Sequence, residues 1–217
     1  MTTETMLSEQ LETRWMLFAK RLGADMDVAD EVYTDLVKAY YGPVRHYHSL
    51  VHIKACLDLL DAHVPVGADL NHVELALWWH DYVYIPGRSN NEEESTFAMH
   101  RAGRRMGLNE KLLAEVADMI GYTKHAASVE TMADRYQYMV DIDLSILGET
   151  PEVFDQYEKD IRAEYEFVPW EQYRLGRGKI LNDFLARSHI YVTSRFRSIF
   201  EVRARENLRR SLGQLVP

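Results

Sequence analysis

A chain of 217 residues, 47% hydrophobic and 27% charged, carries enough apolar material for a domain with a sizeable core and too much to be disordered. Its formal net charge of −9 excludes an extended nucleic-acid surface, because phosphate backbones are held mainly by clustered Lys and Arg. A small anionic substrate stays open, since one metal ion and a few Arg reverse the sign locally.

One cysteine, Cys56 in the apolar run ACLDLL, excludes an intramolecular disulfide framework and reads as a small buried hydrophobe. No signal-like start and no apolar run near eighteen residues is visible, so the expectation is a cytoplasmic protein without a membrane span.

In chain order, Leu11, Trp15, Phe18 and Leu22 recur at helical spacing and predict a helix over 7–22. Val32, Leu36 and Tyr40 predict a second over 28–41, stopped by Gly42-Pro43. A third is expected over 49–62 and a fourth over 70–83. The segment IPGRSNNEEES (85–95) reads as a loop whose Glu run suits the first turn of the next helix. Helices over 93–107 and 110–122 follow, then an unpatterned stretch at 126–138 and a short segment at 139–147. Three longer helices are expected at 151–166, 170–187 and 190–212. Period-two alternation is absent over any useful length, so the fold class is all-α. The whole of 1–217 reads as a single helical domain, with the helices of 1–40 packed on it.

Chemistry is suggested by position more than by the total of nine His. His48 and His52 are four apart at the start of the third predicted helix, which places both on one face. His80 and Asp81 end the apolar run LALWWHDYVY, and Asp141 and Asp143 follow Met139-Val140. Two imidazoles and two carboxylates from three segments suit a six-coordinate Mg, Mn, Fe or Zn ion with water completing the shell. The plainer readings are helix caps for Asp141 and Asp143, and for Asp81 an ion pair with Arg45 or Arg162. A carboxylate among Trp78, Trp79, Leu77 and Val83 needs a positive partner of some kind, because burying it alone costs several kcal/mol.

Taken together, RHYHSLVHI (45–53), ALWWHDYVYIPGRSNNEEES (76–95), IGYTKH (120–125), DIDLSILG (141–148), YEKDIRAEY (157–165) and RARENL (203–208) resemble the HD superfamily. Within it they are most similar to a small family of predicted metal-dependent HD phosphohydrolases. A more distant resemblance links Tyr47-His48-Ser49, His52, His80-Asp81, Pro86-Gly87 and Asp143-Leu144-Ser145 to cyclic nucleotide phosphodiesterases. These resemblances imply His52, His80, Asp81 and Asp143 as ligands of a divalent metal ion, and His48 as the general acid. Two departures stand out: Ser49 replaces Asn, and Tyr84-Ile85 stand where a loop His is expected. Some HD proteins have their ligand before Ser-Leu, which would make His48 the first ligand instead, so that choice stays open.

The same comparison points to Asn91-Glu92, with Asp81 or Glu92 orienting the attacking water, or Glu92 a ligating His. His125 is a candidate for phosphate or a second metal, and Arg45 and Arg162 for phosphate charge. The C-terminal Arg205–Arg210 stretch reads as a solvated helix face. The activity implied is metal-dependent hydrolysis of a small phosphoester, nucleotides being favoured by analogy. The alternatives are a nucleotide- or metal-binding regulator without turnover, and an oxygen-dependent di-iron HD enzyme.

Overall fold

The computed structural model describes residues 3–64, 70–124 and 134–215. Among them it holds ten α-helices, one 3-10 helix and no strand, so the all-α expectation is met. The helices are α1 (Thr3–Arg21), α2 (Met26–Tyr40), α3 (Leu50–His63), α4 (Leu70–Trp79), α5 (Asn91–Arg105) and α6 (Glu110–Tyr122). They continue with α7 (Asp134–Asp143), the 3-10 helix Leu144–Gly148, α8 (Pro151–Glu164), α9 (Trp170–Ala186) and α10 (Ser194–Leu215). No helix among the described residues is long and apolar enough to cross a membrane. The chain divides into two units, Met1–Met139 and Val140–Pro217.

In the first unit α4 is the central element, packed against α3, α5 and α6. Its sequence explains that position: every residue from Val73 to Trp79 is buried, and a helix apolar all round has no face to give to water. Glu74 is the exception in this run, and its carboxylate is held by Arg14 Nε at 2.9 Å and Arg21 Nη2 at 2.5 Å. Trp78 meets Trp15 edge-on with ring centroids 5.3 Å apart, and Trp15 donates its indole N–H to the Ala29 carbonyl at 2.8 Å. Two helix starts carry side-chain caps. Asp25 accepts from the amides of Asp27 and Val28 to open α2, and Asn109 accepts from Lys111 N to open α6.

Two differences from the sequence reading matter for the site. Helix α4 stops at Trp79 rather than running to residue 83, so His80 and Asp81 sit in the turn just beyond it. Residues 134–138, expected to be irregular, belong to α7.

In the second unit α10 packs against the 3-10 helix, α8 and α9. Of the stretch expected to be a solvated face, Arg209 is exposed, but Arg205 and Arg210 are tied down. Arg205 pairs with Glu201 at 2.8 Å and donates to the carbonyls of Leu185, Arg187 and Ser188, supplying the donors that the end of α9 lacks. Arg210 bonds Asp155 and the Asn207 side chain. Trp15 of the first unit is buried, whereas Trp170 of the second is half exposed.

Gly148 is where the 3-10 helix passes closest to α10. A Cβ there would lie 2.6 Å from Phe200 Cβ and 2.7 Å from its carbonyl oxygen, and a backbone cannot yield as a side-chain tip can. Gly148→Ala is expected to destabilise the second unit by about 1–3 kcal/mol, as overpacking does. Denaturant unfolding checks this, and an unchanged midpoint would show that the contact is slack.

Candidate metal centre

Three stretches of the first unit build the centre: the turn 42–49, the first turns of α3, and the turn 80–90 after α4. His80 closes the last turn of α4, its amide donating to the Ala76 carbonyl at 2.9 Å. Its ring Nδ1 lies 3.0 Å from the Leu77 carbonyl oxygen. A carbonyl only accepts, so Nδ1 carries the proton and Nε2 presents its lone pair. That Nε2 sits 3.2 Å from His52 Nε2 and 3.0 Å from Asp81 Oδ2, and His52 Nε2 is 3.6 Å from the same oxygen.

This geometry suits a cation. Neighbouring ligands on an ion at about 2.1 Å lie roughly 3.0 Å apart in an octahedron and 3.4 Å apart in a tetrahedron. The donor set is mixed imidazole and carboxylate, which transition ions and Zn favour over Ca. Without an ion, one proton has to do the same work, His52 donating from Nε2 toward His80 or Asp81. The two imidazoles are almost closed to solvent, His52 at 6% and His80 at 2% exposure. The Asp81 side chain is 18% exposed and gives the group its open edge. Behind His52 lie Cys56 Sγ, 3.7 Å from both ring nitrogens, and the Tyr47 ring at 4.7 Å. Cys56 is thus buried as expected, but against an imidazole.

His48 differs from its sequence reading. Ser49 is extended at φ −121°, ψ 179° and α3 begins at Leu50, so His48 precedes the helix and the shared-face argument for His48 and His52 does not hold. The tertiary fold still brings the rings near each other, with centroids 6.2 Å apart. His48 is half-buried and stacked on Tyr84 at 3.8 Å with the planes 24° apart. Tyr84 is a neighbour that sequence reasoning missed, noted only as standing in place of an expected His.

The turn 80–90 is pinned in two places. Asn91 accepts from Ile85 N at 3.1 Å and donates back to Ile85 O at 3.0 Å, while Ser95 Oγ accepts from Val83 N at 2.9 Å. Pro86-Gly87 forms the middle of a type II turn closed by Arg88 N to Ile85 O at 3.1 Å, and Gly87 takes the positive φ of 85° that this turn demands.

Other expected site residues are committed elsewhere. Arg45 donates to the carbonyls of His48, Asp81 and Tyr82 and, among the described residues, pairs with neither Asp nor Glu. Glu92 lies in the first turn of α5, where its ion-pair partner is Lys124 at 3.9 Å. Lys124 itself pairs with Glu93 and donates to the Ser89 carbonyl. His125 lies outside the described residues.

The second unit holds the remaining candidates. Asp143 is the last residue of α7, half-buried, and its charge is felt by the Tyr157 phenol. Arg162, in the last turn of α8, donates to the Tyr165 carbonyl at 2.7 Å and lies over the Tyr173 ring at 4.7 Å. Asp141 anchors the segment before α10. Fully buried, it accepts from Val192 N at 2.6 Å, Thr193 N at 2.7 Å and Thr193 Oγ1 at 2.6 Å, which fixes the entry to α10. Burial pushes its carboxyl up to about 6 even though these donors pull it down.

No family model, no curated protein and no solved structure matches this chain. The resemblance to HD phosphohydrolases accordingly rests on the sequence motifs alone.

The Asp141 environment makes a pH prediction. Its folded value lies above 3.8, the ordinary one, so the folded unit binds this proton more tightly than the unfolded chain. The resulting stabilisation is complete below about 3.8 and is lost as pH rises through about 6. Against Asp141→Asn, which does not titrate, the wild type should gain relative stability from pH 7 to pH 4, by about 3 kcal/mol at most. Thermal melts of both chains across that range measure it, and a difference that shrinks toward acid would contradict the assignment.

Proposed function

We propose that this protein is a divalent-metal-dependent hydrolase acting on a small phosphoester, with His52, His80, Asp81 and Asp143 as metal ligands. The observation that carries the reading is the convergence of two buried imidazole nitrogens, 3.2 Å apart, on a carboxylate oxygen with a solvent edge. Asp143 enters from the sequence motif, as do the phosphoester class and the preference for nucleotides. Such an ion supplies Lewis acidity, making water acidic enough to attack near neutral pH and drawing charge from a phosphoryl oxygen.

The residues themselves divide the remaining work. The Leu77 carbonyl holds the His80 tautomer, and the apolar wall of α4 keeps bulk water from the imidazoles. His48 stands beside His52 without being buried with it, which suits a proton donor to the leaving group. Glu92, for orienting water, and Arg162, for phosphate charge, are the further candidates from the motif.

Metal analysis of the purified chain, with Mn, Zn, Fe and Mg compared, is the first test. His80→Ala and Asp81→Ala are expected to abolish stoichiometric uptake while leaving helicity near the wild-type level, and Asp143→Ala to weaken it at least tenfold. Full occupancy in both His80→Ala and Asp81→Ala would sink the metal reading and leave the shared proton as the explanation of the cluster. Metal uptake without turnover of any phosphomonoester or phosphodiester would favour a regulator instead.

The roles of the two neighbouring histidines separate in the same assay. His52→Ala should lose metal and turnover together. His48→Ala should keep the metal and lose roughly a hundredfold in rate, and the loss should shrink for aryl phosphates, whose leaving group needs little protonation. The reverse pattern of metal loss would make His48 the ligand.

A further inference from the structure

Arg45 carries the furthest inference. Its Nη1 donates to the carbonyl oxygens of His48 at 3.1 Å and Asp81 at 2.6 Å, and its Nη2 to that of Tyr82 at 2.8 Å. The guanidinium lies 5.2 Å from the Tyr40 ring centre and 5.6 Å from that of Tyr84. Tyr84 in turn stacks on the His48 ring at 3.8 Å. One planar cation therefore bridges two turns that are remote in sequence. One carries His48; the other carries Asp81, with His80 immediately before it.

Three of the five guanidinium N–H donors are committed to backbone carbonyls, which leaves two for any phosphate. Hydrogen bonds from a charged donor are also about twice as strong as neutral ones, which makes this an effective clamp. Lysine cannot replace it in kind, because an ammonium lacks the flat fork that reaches three acceptors while its face lies on aromatic rings.

We propose that Arg45 is the positioning residue of the metal centre: it sets the Asp81 turn against the His48 turn and orients the His48 ring through Tyr84. This rests on the metal-dependent reading above and replaces the phosphate-binding role expected for Arg45 from the sequence.

The test compares the full chain with Arg45→Ala and Arg45→Lys. In Mn titrations by calorimetry, Arg45→Ala is expected to weaken binding by roughly ten- to a hundredfold, the usual cost of losing an outer partner of a ligand. Arg45→Lys should fall between, keeping the charge and losing the fork. Inorganic phosphate binding to the Mn-saturated proteins should be nearly the same in all three. If Arg45→Ala binds Mn as the wild type does but loses phosphate affinity, the clamp is refuted and the phosphate role restored.

Amide hydrogen exchange on the metal-free proteins keeps this test apart from the metal reading. Exchange should quicken in 42–49 and 80–84 together in Arg45→Ala, whether or not the wild type takes up metal, and unchanged exchange in both turns would overturn the proposal. If Arg45→Ala fails to fold, Arg45→Lys carries both measurements, with weaker Mn binding and quicker exchange expected, and wild-type values in both would again overturn it.

Discussion

Two imidazole nitrogens 3.2 Å apart in an apolar interior impose the constraint on which the first unit depends. Such a pair needs a proton or a cation between its members and a carboxylate to balance it, because unpaired polar groups are costly to bury. The Leu77 carbonyl removes one freedom by fixing the proton on His80 Nδ1. The end of α4 at Trp79 removes another, since it turns His80 and Asp81 toward the same place. A helix running on to residue 83, as periodicity alone suggests, would have spread consecutive side chains about 100° apart around its axis.

Around that pair the unit grades from closed to open. Apolar residues of α3 and α4 seal the imidazoles, the Asp81 carboxylate reaches solvent, and His48 and Tyr84 stack as a half-buried layer beside them. The gradation suits a site that must hold charge in a low dielectric and still admit a polar ligand. Arg45 adds a cation whose partners are carbonyls rather than carboxylates.

In the second unit, Asp141 and Asp143 show how little residue type alone decides. Both are aspartates at the end of α7, two positions apart. Asp141 is fully buried and turned to the backbone N–H groups before α10, an anchoring role that its surroundings define. Asp143 is half-buried and electrostatically coupled to Tyr157. Nothing within DIDLSILG distinguishes them, since the donors that claim Asp141 lie some fifty residues further on, at Val192 and Thr193.

The sequence by itself determined the all-helical class, most helix limits to within a few residues, and the segments that carry His52, His80 and Asp81. These follow from local physics. Apolar residues at a 3.6-residue period, capping side chains and Pro-Gly turns act over a few neighbours. Only the tertiary structure decided which side chains share a site and what each does there. His52 and His80 are 28 residues apart and meet because α3 packs on α4. His48 reaches them from outside α3 and not along its face. Arg45 turned to carbonyls, Glu92 paired with Lys124, and Asp141 became the anchor of the segment before α10 for the same reason. A polar side chain takes whichever partner the folded chain brings within about 3 Å, and that distance is set by packing between elements, to which local sequence pattern is blind.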